Sequence, residues 1–376
     1  MQQWVREKLK QIDELYPSER LEASKARWRA MWEGRTPTDR YPFQFGSIGF
    51  NYYNESFSKE DGLRAYLDEI INRGFVQDDF IPAFFPGCHQ GTIPAMLGAK
   101  EIVVGYDHSN ERILFKPEDI DNLPEPSILP GTSGWRWLEM QRYYVEECEG
   151  VLPVHVCDMQ GPVDVAAQLF GYDNLFLCAY DDEDRYNALM RKVCDAYCIL
   201  WEAQAKALGN LFIGTHLFGW NWVPPSNGAS LSADSMAMVS GNFFEEFYSP
   251  HLATVAERLG KLSVHSCGNF TAVIPTLGAL PFVHAVNASQ LSLEEILEAG
   301  WPRKKMVILM ENIADAECVF ARAKSEGLSV DVTYNGLWPT DSGGNQIPPH
   351  EWDSALREKI ICRADEVTQA ARIGDS

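Results

Sequence analysis

The side chains able to bind a metal or move a proton sit, in this chain, just after short apolar runs. Leu262-Ser263-Val264 leads into His265-Ser266-Cys267. Two residues apart on an extended segment, His265 and Cys267 turn their side chains to the same side. That suits shared coordination of a cation, which would hold Cys267 as thiolate. The plain alternative is a packed cysteine beside a hydrogen-bonded histidine. Met306-Val307-Ile308-Leu309-Met310 ends at Glu311, and a carboxylate after so apolar a run either rises in pKa or demands a cation. Glu311 is therefore a candidate for catalysis and for metal binding, with a structural salt bridge as the bland reading. Leu211-Phe212-Ile213-Gly214 ends at Thr215-His216, which makes His216 a further candidate ligand. After Leu152–Cys157 come Asp158 and Gln160, suited to positioning a proton and contacting substrate, unless Asp158 only caps the next helix.

Other candidates contact substrate. Val330-Asp331-Val332-Thr333 ends at Tyr334-Asn335, and His89 lies in the turn-like Phe85–Thr92. Trp220, in Phe218-Gly219-Trp220-Asn221-Trp222, would wall a pocket or pack under a loop. Cys194 and Cys198 share a helix face beside an apolar stripe and read as core. His155 and His284 fall inside strands and read as satisfied core histidines. The acidic run Asp181–Asp184 opens a helix, where the helix dipole favours it.

These residues need a scaffold that gathers strand ends. Strand-like runs alternate with helical ones from Tyr41 onward, the pattern of a parallel α/β sheet. Consecutive runs end in polar residues, as in a (β/α)8 TIM barrel, whose chemistry lies at the C-terminal ends of its strands. The long segment Asp181–Leu208 carries Tyr186, Leu189, Val193, Tyr197 and Leu200 at helical spacing, with Gly209 at its C-terminal cap. Val5, Leu9, Ile12 and Leu15 form an earlier helix, and a second carries Leu21, Trp28 and Trp32 and ends at Gly34. The reading is an α/β protein: an N-terminal helical extension over 1–40 and one barrel over 41–376.

Composition excludes some functions. A net charge of −21 opposes nucleic-acid binding, which needs a basic face. No apolar run reaches the roughly 18–20 residues of a membrane span, and the start lacks a signal-peptide core. Nine scattered cysteines suggest reduced thiols and a cytoplasmic location.

The stretch Asp158-Met159-Gln160-Gly161-Pro162-Val163-Asp164-Val165-Ala166-Ala167-Gln168-Leu169-Phe170-Gly171 resembles the Gly-Pro-x-x-x-Ala-x-x-Leu-x-Gly signature of the uroporphyrinogen decarboxylase superfamily. His265-Ser266-Cys267-Gly268-Asn269 is similar to its strand-end motif, and Tyr180-Asp181-Asp182 to its usual helix opening. Asp39-Arg40-Tyr41-Pro42 resembles the Asp-Arg-x-Pro of the branch containing corrinoid-linked methyltransferases. The resemblance spans about Arg35 to Ile361. Phe45–Glu55 carries none of the arginines that a carboxylate-rich tetrapyrrole would need. In the methyltransferase branch His-x-Cys supplies two zinc ligands and a late cysteine commonly a third. Tyr334–Gly344 has no thiol, and Cys318 lies in the helix-like Asp315–Glu326, so His216 and Glu311 are the residues that would complete a zinc site with His265 and Cys267.

The resemblance implies zinc-assisted methyl transfer between a small methylated substrate, or a thiol, and a corrinoid carried by a partner protein. A metal-independent decarboxylase-like lyase using Asp158 or Glu311, and a non-catalytic ligand-binding barrel, are the alternatives. Neither a nucleic-acid nor a membrane partner is expected, and a homodimer is left open.

Overall fold

The computed structural model describes residues 1–45, 58–85, 90–104, 107–215, 221–311, 313–334, 347 and 351–374; side chains 103, 104, 107, 108, 226, 310, 311, 313–315 and 331–334 lie outside that description. The described strands are β1 (Phe43–Phe45), β2 (Glu101–Val104), β3 (Asp107–Asn110), β4 (Val154–His155), β5 (Phe212–Ile213), β6 (Ala229–Ser232), β7 (Leu262–Ser266), β8 (Val283–Ala288), β9 (Met306–Glu311) and β10 (Val330–Tyr334).

Strand β9 is apolar up to its last residue and β8 is mostly apolar, as expected where a parallel sheet is covered on both faces, while β7 also carries Ser263, His265 and Ser266. All five residues of β7 are buried, as are five of six in β8. The main sheet runs β1-β10-β9-β8-β7-β6, parallel at every pairing. Parallel neighbours need a crossover, and the helices Ile274–Ala279, Leu293–Glu298 and Ile313–Glu326 supply it after β7, β8 and β9. Strands β4 and β5 form a second parallel pair, and β2 and β3 an antiparallel one. Single parallel bridges join Phe84 to Val154 and Gln160 to Ser232, and the Asp79 N–H donates to the Phe43 carbonyl at 3.0 Å. The architecture is mixed α/β with a parallel main sheet. Among the described residues, no helix is long and apolar enough to cross a membrane.

Most expected elements are present with shifted ends. Tyr41–Phe45 shortens to Phe43–Phe45, and β7 continues through His265 to Ser266. The helix Gln3–Leu15 buries Val5, Leu9 and Ile12 against Leu63, Tyr66 and Ile70; Ser18–Trp32 follows it. The long helix begins at Glu183 rather than Asp181. Asp182 (φ −149°, ψ 71°) separates it from the helix Tyr172–Asp181 and caps it by accepting from the Arg185 N–H at 3.2 Å. Arg185 also pairs with Asp121 and Asp182, so the acidic run is helix-terminal chemistry, as expected.

Strand β6 gives little sequence signal, since Ala-Ser-Leu-Ser has no β-branched or aromatic residue. It is held by pairing with β7 on one side and with Gln160 on the other. Gly228 admits it: φ is +77°, and a Cβ there would lie 1.9 Å from the Lys261 carbonyl oxygen. That carbonyl accepts the Ala229 N–H at 3.0 Å and cannot retreat without breaking the pairing. Gly228→Ala is expected to cost more than about 3 kcal/mol, from backbone strain and overlap together. Urea unfolding reads this directly; a loss below about 1 kcal/mol would contradict the close approach.

Candidate metal centre

A single row across the sheet builds the site. Ser232, His265, Asn287 and Ile308 are successive register partners on β6, β7, β8 and β9. Registered neighbours in a parallel sheet direct their side chains to one face. His265 Nδ1 accordingly meets Asn287 Oδ1 at 2.8 Å, while Asn287 Nδ2 donates to the Ile308 carbonyl at 3.1 Å. The second bond decides the tautomer of the first partner. With the Asn287 amide nitrogen turned to Ile308, its oxygen faces the ring, so Nδ1 carries the proton and Nε2 presents a lone pair.

That lone pair faces two further donors. Cys267 Sγ lies 3.3 Å from His265 Nε2, and Asp234 Oδ1 lies 3.5 Å from it. The three ligand atoms fall within 4.8 Å of one another. An ion bound tetrahedrally at about 2.0–2.3 Å would separate its ligand atoms by roughly 3.3–3.8 Å, close to the two distances found. Asp234 opens a 3₁₀ turn, Asp234–Met238, directly after β6. Its carboxylate also accepts the Cys267 N–H at 2.7 Å, tying the turn to the end of β7. The chain then leaves through Gly268, at φ +75°, where Ala237 would crowd a side chain.

Electrostatics suit a cation. His265 is 1 % exposed, and burial lowers its pKa against the opposing charge of Asp234, so the ring is neutral at neutral pH. Burial raises the Cys267 thiol; the Ser289 hydroxyl, donating to Sγ at 3.3 Å, pulls it down, and Asp234 adds to the rise. A cation would offset both the buried acidity and the Asp234 charge. The donor set of one imidazole, one thiolate and one carboxylate fits zinc.

Asp158 and Gln160 border this centre. The helix after them, Pro162–Phe170, starts at Gly161 without a side-chain cap, so the capping role for Asp158 is not the one observed. Asp158 instead accepts the Ser232 hydroxyl at 3.2 Å, and its charge bears on both His265 and Cys267. Gln160 is buried and bridged to Ser232. Glu311 ends β9 and Tyr334 ends β10, but their side chains, with His89, His216, Trp220 and Asn335, lie outside the described residues. Cys194 and Cys198 are buried in the core, and Cys318 is exposed on its helix. His155 bonds the Thr215 carbonyl through Nδ1 at 2.8 Å, and His284 meets Ser263.

Asp234 was not anticipated by sequence. The one available signal was positional, a carboxylate following an apolar-polar run, but Leu231 alone gives that run little weight.

No family model matches the chain, and no curated protein sequence matches it. Among solved structures, a methyltransferase from Methanosarcina mazei shares the fold, with a TM-score of 0.63 at 15% identity. The match covers 91% of this chain and 98% of that one. At that identity the likeness concerns the fold alone.

Proposed function

We propose that this chain is a methyltransferase that moves a methyl group between a small methylated substrate, or a thiol, and a corrinoid protein, with zinc held by Asp234, His265 and Cys267. The observation that carries the reading is His265: Asn287 fixes its tautomer, and its Nε2 lone pair faces a thiol and a carboxylate at ligand-like distances. The methyltransferase-like fold supports the reaction class. Zinc bound there would act as a Lewis acid, favouring thiolate on a bound thiol or polarising a methylated group.

The protein's own groups divide the remaining work. Asn287 holds the His265 ring. Ser289 donates to the sulfur. Asp158, kept in place by Ser232, is the group available to hold or pass a proton beside the centre. Gln160 is placed to contact substrate. Glu311, at the end of β9, and His216 are proposed to lie around the same centre, with His89, Trp220, Tyr334 and Asn335 as substrate contacts.

The sheet is proposed to close as a (β/α)8 barrel over residues 41–376, with 1–40 as a helical extension, in the manner of the uroporphyrinogen decarboxylase superfamily. The Asp79–Phe43 bond and the Phe84–Val154 and Gln160–Ser232 bridges support closure, since they extend the parallel pairing beyond the six strands.

The test is metal analysis of protein purified without chelator, paired with a methyl-transfer assay using reduced corrinoid. Stoichiometric zinc, and turnover that is lost on chelation and restored by zinc, is the expected result. Absence of stoichiometric zinc in folded protein would overturn the reading, and so would decarboxylation that survives chelation.

A further inference from the structure

Asp164 has no place in the reaction as proposed, yet it is a carboxyl group deep in the fold. It is 2 % exposed, and no ion pair to it occurs among the described residues. Burial pushes its pKa up to about 7, against the pull of the hydrogen bonds from Ser235 and Tyr248 that hold it in place. Its Oδ1 accepts the Ser235 N–H at 2.9 Å. Its Oδ2 accepts the Ser235 hydroxyl at 2.8 Å and the Tyr248 hydroxyl at 3.2 Å. Ser235 and Tyr248, themselves 3.1 Å apart, are both fully buried.

Ser235 directly follows Asp234. The turn that carries Asp234 is thus gripped on both sides: the Ala233 N–H donates to the His265 carbonyl at 2.7 Å, and Ser235 is held through backbone and side chain by Asp164. Between those anchors the Asp234 carboxylate has little freedom except to face Cys267 and His265. Asp164 comes from a different element, the helix Pro162–Phe170, so it fixes the turn to the scaffold rather than to itself.

We propose that Asp164 is a positioning residue for the metal centre, holding the turn at Ser235 so that Asp234 completes the ligand set begun by His265 and Cys267. This rests on the metal reading above. Ligands supplied by one strand are pre-arranged, whereas a ligand on a short turn needs an anchor, and loss of such an anchor typically weakens metal binding by about 10- to 100-fold.

Cobalt(II) is the probe, because its thiolate charge-transfer band reports Cys267 and its ligand-field bands report coordination geometry. Asp164→Ala is expected to keep the charge-transfer band, to weaken cobalt affinity by about 10- to 100-fold, and to shift the ligand-field bands toward those of Asp234→Ala. General loosening of the fold would not reproduce the Asp234→Ala spectrum. Asp164→Asn keeps an acceptor for the Ser235 N–H and should restore both affinity and spectrum. Ser235→Ala, which removes one of the two bonds from the turn, should move the same bands by less. A wild-type affinity and spectrum in Asp164→Ala overturns the proposal; if that variant does not fold, an unchanged spectrum in Ser235→Ala overturns it instead. Wild-type protein that gives no thiolate band with cobalt would sink the metal reading itself, a separate outcome.

Discussion

Cys267→Ala is expected to abolish zinc binding while leaving the fold nearly intact. The thiol is half-buried, and its partners among the described residues are the Ser289 hydroxyl, which can turn to solvent or to Gln290 Oε1 at 2.9 Å, and the His265 ring. Removing one sulfur there should cost no more than about 1 kcal/mol. Metal affinity should fall more than about a thousandfold, since the softest ligand and the only thiolate of the cluster are gone. Zinc content after purification without chelator, read beside a thermal unfolding curve, separates the two effects. Zinc retained at wild-type stoichiometry would refute the assignment. His265→Ala should lose zinc too, but at a stability cost of about 2–4 kcal/mol, because it empties a buried site and strands Asn287 Oδ1. The wild-type affinity has a defined pH sign. The Cys267 thiol is raised, so at neutral pH it is protonated without metal, and binding must release that proton. Affinity should therefore climb with pH by about tenfold per unit through the neutral range.

The sequence made His265 and Cys267 legible for a physical reason: both lie at the end of an apolar strand, where period-two geometry alone sets their shared direction. Asp158 and Gln160 were legible on the same ground. The proposed third ligand was not. Asp234 lies beside His265 and Cys267 where β6 pairs with β7 in a register that sets Ser232 beside His265, and Asp164, seventy residues earlier, bonds the following turn. Neither pairing leaves a local pattern. Strand β6 was missed because pairing rather than propensity makes it a strand, and the break at Asp182 because helical periodicity runs through it while the backbone does not. The parallel α/β alternation survived these errors because burial on both faces writes itself into the apolar runs.

Asp79→Ala is expected to be among the most destabilising single changes in the molecule, at about 3–5 kcal/mol, with no direct effect on the metal centre. The Asp39-Arg40-Tyr41-Pro42 motif explains why. Arg40 is buried, and both its terminal nitrogens meet the Asp79 carboxylate, which also takes Arg27 at 2.7 Å. The same carboxylate accepts the Phe43 N–H at 3.0 Å, and Asp78 accepts the Phe45 N–H at 2.9 Å. These two carboxylates bond amides of β1 on behalf of a neighbouring strand, so the first strand of the main sheet is secured by side chains. Alanine at 79 would take the carboxylate from the buried Arg40 guanidinium, which keeps the Tyr41 carbonyl, and from the Phe43 N–H. Asp39→Ala is the control. It removes a partner of the same Arg27, but that carboxylate is 53% exposed, and an exposed pair is worth less than about 1 kcal/mol. Urea unfolding of both variants checks the contrast. Equal losses would mean that the motif acts through Asp39 at the surface. A large loss confined to Asp79, with zinc stoichiometry of the folded protein unchanged, would assign the motif to anchoring β1 and leave the chemistry to the far ends of β6 and β7.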